Sequence, residues 1–166
     1  MDPRVVAVQA LNSLSLPAPE IRLNPIPPQD QLVNMATWMW LDEATWGPRS
    51  TTASVPGVTV TATARPERVV WDMGNGAQVV CQGPGVPYDV SQPEEAQRSD
   101  CTYTYRRSSA AQPGQRYVIS ATVEWSATWS VAGAAGGGAL PGLSRSSSVA
   151  VRVAEIQAVN VVPRIR

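Results

Sequence analysis

Hydrophobic and polar positions alternate most regularly over 117–131, "YVISATVEWSATWSV". Tyr117, Ile119, Ala121, Val123, Trp125, Ala127, Trp129 and Val131 fall on one side. The other side is Ser, Thr and Glu, with Val118 the exception. A period of two is the signature of a strand with one buried face. At ~3.3 Å per residue the run would span about 50 Å, so a bulge or a change of sheet is expected partway along. "VTVTATA" (58–64) alternates in the same way, with threonines turned to water. "ARPER" reads as a turn, "VVWDM" as the next strand and "GNG" as another turn. "QLVNMATWMWLD" (31–42) reads as a strand that is apolar on both faces. Such a strand is covered on both sides or meets a partner. The apolar segment "VVAVQALNSLSL" is the candidate cover.

The intervening segments are read from their turn chemistry. Residues 3–14 fit either a short helix or an extended arm. "LPAPEIRLNPIPPQDQ" is dense in proline and is expected to be extended and irregular. "EATWGPRSTTASVPG" reads as a loop, and "AGAAGGGALPGLSRSS" (132–147) as a flexible connection. A returning strand follows, with Val149, Val151 and Val153 inward. Fifteen prolines and 12 glycines cluster between apolar runs, which is the punctuation of a β protein.

Composition narrows the chemistry. The 166 residues favour one folded unit, and 43% hydrophobic content supplies a core. The formal net charge is zero and no basic run occurs, which argues against nucleic acid as partner. No apolar run reaches the ~18 residues a membrane helix needs. Histidine is absent, which removes the commonest general base and transition-metal ligand. Two cysteines cannot build a zinc site alone. "GAAGGGALPG" lacks the Gly-Lys-Ser/Thr ending of a phosphate loop.

In "WDMGNG", Trp71 alternates with Val69 toward a core, and Gly74 and Gly76 supply the positive φ of a tight turn. "VTVTATARPERVVWDMGNG", followed by "CTYTYRRSSAAQPGQRYVISATVEW", resembles the PKD (polycystic kidney disease) domain. Trp71, Asp72, Gly74 and Gly76 match its first block. Tyr103 or Tyr105, with Gly114, Tyr117, Val118 and Val123, match the later ones. Met73 replaces the family's aromatic residue and Asn75 its second Asp. The likeness covers roughly residues 55–131. It implies an all-β, immunoglobulin-like antiparallel sandwich, usually an extracellular accessory or adhesive module without activity of its own.

Cys81 ends one strand and Cys101 begins another, around the polar loop "QGPGVPYDVSQPEEAQRSD". A disulfide is expected there, which implies an oxidising compartment; two buried free thiols are the alternative. With no phenylalanine in the chain, tryptophan must fill core space. Trp71 and Trp125 are assigned there. Trp38, Trp40 and Trp46 are the candidate interaction or ligand surface, with core or interface filler as the alternative. Asp72, Asp89, Glu94, Glu95 and Asp100 follow no calcium-loop spacing, and no metal or cofactor is expected.

The expected organisation is an N-terminal arm and added strand (1–50), a PKD-like β-sandwich (51–160) and a tail (161–166). The expected function is non-enzymatic: an extracellular or cell-surface module that binds another protein or envelope component. A carbohydrate-binding module using exposed tryptophans is the alternative. Self-association of the chain stays open.

Overall fold

The computed structural model describes residues 2–133 and 135–156. The expected tail at 161–166 lies outside them. Among the described residues the chain forms one α-helix and ten strands. These are α1 (Pro3–Ser13), β1 (Ile21–Asn24), β2 (Gln31–Leu32), β3 (Ala36–Leu41), β4 (Arg49–Val55), β5 (Val58–Asp72), β6 (Gln78–Cys81), β7 (Thr102–Thr104), β8 (Tyr117–Val131), β9 (Gly137–Val151) and β10 (Val153–Ala154). The larger sheet has the order β4-β5-β8-β9, with β6 also on β5. The smaller sheet has the order β1-β3-β7, and β10 pairs with β2. Every pairing is antiparallel except β10 with β2. The chain is therefore mostly β, as its alternation predicts.

β8 is the spine. Its odd residues from Tyr117 to Ala127 are buried, and Trp129 and Val131 pack on the core from partial exposure. The expected break does occur, but it lies in the neighbouring strands. On β5 the register shifts between Pro66 and Arg68, opposite Trp125 and Glu124. On β9 it shifts between Leu140 and Leu143, opposite Ala127 and Trp125. An extra residue on one strand of a pair is a β-bulge, and it deepens the local twist.

Glu67 is the extra residue on β5, and it exchanges the two faces of that strand. Val60, Ala62 and Ala64 point inward before it, and Val69 and Trp71 after it. "ARPER" is thus a bulge inside one long strand rather than a turn. Pro66, which has no N–H to give a ladder, is tolerated where the ladder is already broken.

Two further segments differ from expectation. "RSTTASV" is β4, joined to β5 by Pro56–Gly57, so that Val55 faces Val58. Its outward hydroxyls pair across the hairpin: Ser50 with Thr63, Thr52 with Thr61 and Ser54 with Thr59. The glycine-rich run after Val131 is not a long flexible connection, because β9 begins at Gly137. A Cβ on Gly137 would sit 2.6 Å from the Trp129 carbonyl oxygen, so glycine is what lets the strand close on β8 here.

Residues 3–13 form a helix rather than an extended arm. Asp2 caps it, its Oδ1 accepting from Arg4 N at 2.9 Å, and Pro3 takes the first turn, where no N–H is needed. Val6, Ala7, Ala10 and Leu11 are buried, and the helix packs on β5, β4 and β8. Because β4 pairs only with residues 58–64 of β5, the helix lies over that half of the larger sheet. Ala62, Ala64 and Ala127 are small, which leaves room for it. The other half carries Val69, Trp71, Ile119 and Val123. These join Leu23, Met39 and Leu41 of the smaller sheet in one continuous core.

The expected strand at 31–42 is divided. Gln31 and Leu32 pair with β10, residues 33–35 turn, with Asn34 at φ 67°, and β3 follows. Gln31 is fully buried and satisfied. Its Nε2 donates to the Pro25 carbonyl at 2.7 Å, and its Oε1 accepts from Thr37 Oγ1 at 3.2 Å.

Leu11→Ala removes a buried anchor of the helix. It is expected to lower unfolding free energy by about 2–5 kcal/mol, measured by urea denaturation. Val5→Ala, on the exposed side of the same helix, is expected to change it by less than about 0.5 kcal/mol.

Candidate functional site

β6 adds to the β5 edge with Cys81 opposite Val69, and β7 adds to β3. Cys101, just before β7, accepts from Met39 N through its carbonyl at 3.1 Å. The two cysteines form the expected disulfide, with Cα atoms 5.7 Å apart. The bond therefore ties an edge of the larger sheet to an edge of the smaller one.

The loop between the cysteines crosses β3. Leu41 N donates to the Pro84 carbonyl at 2.8 Å. Gly85, at φ 87°, lies where a Cβ would come within 2.6 Å of the Met39 carbonyl oxygen. The Trp38 indole N–H donates to the Val86 carbonyl, and the Tyr88 ring meets Trp38 edge-on at 5.2 Å. Beyond Tyr88 the loop braces itself. Asp89 N donates to Gln97 Oε1 at 2.7 Å, and Gln97 Nε2 returns a bond to the Asp89 carbonyl at 2.7 Å. Hydrogen bonds from the Ser91 hydroxyl and then the Ser91 N–H hold the Asp89 carboxyl below the usual aspartate range. Among the described residues, no three acidic or cysteine side chains gather as a cation site.

The three sequence-selected tryptophans do not form one platform. Trp38 and Trp40 alternate onto the same face of β3; Trp38 is buried under Val86 and Tyr88, and Trp40 is half-buried. Trp46 follows a short 3-10 turn capped by Asp42 and packs against the main core. The helix expected as the cover of this strand lies on the larger sheet instead, so the inter-cysteine loop takes its place here.

Around Trp38 the surface is mainly apolar. Pro25, Leu32, Met35, Trp38 and Tyr88, together with the polar Asn24 and Glu94, line a small cleft of about 80 Å³. Met35 is 46% exposed, Val86 49% and Val90 78%. Sequence reasoning missed these three. Their only signal is an apolar side chain inside a segment rich in turn formers.

Apart from the buried Trp71 indole N–H, which has no hydrogen-bond partner among the described residues, "WDMGNG" is taken up by its own fold. Trp71 and Met73 are buried. Asp72 Oδ1 accepts from Gly74 N at 2.9 Å, and Asn75 Oδ1 from Ala77 N at 3.0 Å. Met73 N donates to the Ala77 carbonyl at 2.9 Å. The Tyr105 hydroxyl donates to the Met73 carbonyl at 2.8 Å. Tyr105 stacks on Tyr117 at 5.0 Å and meets Tyr103 edge-on at 4.9 Å. These bonds and packed rings satisfy the turn without a ligand.

No protein-family model, curated protein or solved structure matches the chain.

Two predictions test this region. Gly76, at φ 90°, has open space where a Cβ would go, so Gly76→Ala costs about 1–2 kcal/mol from the left-handed backbone alone. Gly74→Ala costs more, because its Cβ would also fall 2.6 Å from the Val118 carbonyl oxygen. Paired urea melts give the ranking.

Burial, followed by the fields of Tyr103, Tyr117 and Asp72, pushes the Tyr105 hydroxyl well above the usual tyrosine range. The folded chain then holds this proton more tightly than the unfolded chain does. Its contribution to stability is complete below pH ~10, the unfolded value, and is lost as pH rises beyond it. Tyrosinate absorbance is expected to show a late ionisation step that coincides with unfolding, and Tyr105→Phe is expected to remove that step.

Proposed function

We propose that the chain is a non-catalytic, PKD-like β-sandwich module of an extracellular or cell-surface protein. It binds another protein or envelope component through the face around Trp38. The observation that carries this reading is a loop, pinned by the disulfide, that sets its Val86 carbonyl and Tyr88 ring on Trp38 beside exposed Met35 and carries the exposed Val86 and Val90. Contiguous exposed apolar surface marks an interaction site more often than bare solvent contact. A loop fixed at both ends loses little further freedom on binding, which favours affinity.

Three features support the class. Both cysteines are paired, which suits an oxidising compartment. One core shared by the two sheets suits a sandwich. The chain has no histidine to act as a general base. A glycan is the second reading, favoured by Trp40, whose half-buried ring lies on the same face of β3.

The test is retention of the full chain by a cell-envelope fraction of the source organism, half of which has been digested with protease. Retention is expected on the untreated half and at least tenfold less on the digested half. Met35→Asp combined with Val90→Asp is expected to lower retention tenfold with an unchanged melting temperature, since both side chains are exposed. Retention by the digested half, lost in Trp40→Ala, would favour the glycan. Undiminished retention of the double variant would remove this face from the function.

A further inference from the structure

A second surface lies beside the Gly74–Gly76 turn, and its chemistry differs from that of the Trp38 face. It is an open depression of about 490 Å³, lined by Gly74, Asn75, Tyr103, Arg106, Arg107 and Gln112, with Tyr117 behind them. Its lining contains two guanidinium groups and no acid. Among the described residues, the arginines in ion pairs are Arg22, Arg68 and Arg152, and neither Arg106 nor Arg107 is among them. Arg106 Nη1 donates instead to the neutral Asn34 Oδ1 at 2.9 Å, which orients the fork without cancelling its charge. Asp72, the acid of the adjoining turn, has one carboxylate oxygen committed to the Gly74 N–H.

The depression is built on rigid parts. The Tyr117 hydroxyl lies within hydrogen-bond reach of two carbonyls, Ser108 at 3.0 Å and Arg107 at 3.3 Å, so the backbone that carries the arginines is anchored. Gly74 sits against the Val118 backbone closely enough to forbid a Cβ, which fixes the turn wall. Asn75 Nδ2 donates to the Tyr103 hydroxyl oxygen at 2.8 Å, which leaves the Tyr103 hydroxyl proton to donate elsewhere. Two guanidinium forks, a phenol O–H and the Gln112 amide thus offer a donor-rich surface of small-molecule dimensions.

We propose that this depression binds an anionic ligand of monosaccharide size, with its carboxylate or phosphate held between Arg106 and Arg107. Tyr103 and Gln112 donate to the ligand's remaining oxygens. The site shares no lining residue with the cleft beside Trp38, and either reading can fail without the other.

The test is an amide-resonance titration of the full chain at low ionic strength with glucuronate, glucose 6-phosphate, inorganic phosphate and neutral glucose. Saturable shifts confined to residues 74–76 and 103–117 are expected with glucuronate or glucose 6-phosphate. The stronger of the two identifies carboxylate or phosphate as the anchoring group. Glucose is expected to give none, and inorganic phosphate to bind at least threefold more weakly than the better sugar anion. Arg107→Gln is expected to weaken binding at least tenfold, with Arg107→Lys in between, and both with unchanged melting temperature. Tyr103→Phe is expected to weaken it about threefold. Absence of saturable shifts with all anions overturns the site, as does an equal response to glucose. Binding indifferent to Arg106→Gln and Arg107→Gln overturns it as well. Inorganic phosphate binding as tightly as the sugar anions overturns the monosaccharide size.

Discussion

Two bulges at one level of a long strand set the shape of this protein. β8 runs 15 residues without changing sides, so everything inward of it must face the same way along its length. β5 could match that only with an equally regular pattern, yet its inward residues occupy even positions first and odd positions later. Glu67 absorbs the difference on one flank of β8, and the Pro141–Gly142 segment does so on the other. With the phase corrected, a single sheet presents two kinds of inner surface. The half near Ala62, Ala64 and Ala127 is shallow and takes a helix. The half near Trp71 and Ile119 is bulky and meets the smaller sheet. Filling both halves with large side chains would overpack the helix side, and filling both with alanine would leave voids under the smaller sheet.

The ends of that larger sheet are joined to the smaller one by two different devices. At β6 the join is covalent, through Cys81 and Cys101. On the chain-entropy model, closing a loop of about 20 residues constrains the unfolded chain by about 3 kcal/mol. At the "GNG" turn the join is a group of aromatic rings. Tyr105 reaches from just after β7 to the Met73 carbonyl and stacks on Tyr117 at the start of β8. Both devices act on segments with few apolar residues of their own, where hydrophobic burial alone would leave loop position undetermined.

What the sequence made legible follows from how local each signal is. The alternation over 117–131, the Gly74–Gly76 turn, the buried Trp71 and the Cys81–Cys101 pair all rest on neighbours in sequence, and all are found in the structure. β4 was illegible because "RSTTASV" is polar on its outer side and only half-buried on the other, although Pro56–Gly57 between two β-prone runs was a usable hairpin signal. β9 was hidden by glycines that serve close contact with Trp129 rather than flexibility. The bulge at Pro66 reads as a turn in the sequence because proline marks a lost ladder bond in both cases. Trp38 was correctly seen to lie on a two-faced strand. Its cover is not legible, because the loop that supplies it begins more than 40 residues later, and the disulfide, the Leu41–Pro84 and Trp38–Val86 bonds and the Tyr88 ring bring it there.

The Val33–Met35 turn connects the two surfaces. Met35 lines the cleft beside Trp38, and its neighbour Asn34 receives Arg106 at the edge of the arginine depression. Asn34 is also fixed through its backbone, which donates to the Tyr105 carbonyl at 2.8 Å in the left-handed conformation that asparagine tolerates better than most residues. One short turn thus has its main chain on the tyrosine group, one side chain bonded to Arg106 of the basic depression and the next in the apolar cleft. A group that drew Arg106 away from Asn34 would act on a turn whose following residue packs near Tyr88. Any effect of one surface on the affinity of the other must be matched by an equal effect in return, because binding free energies around a cycle sum to zero. The physical path for such an effect is short: one hydrogen bond and one peptide unit.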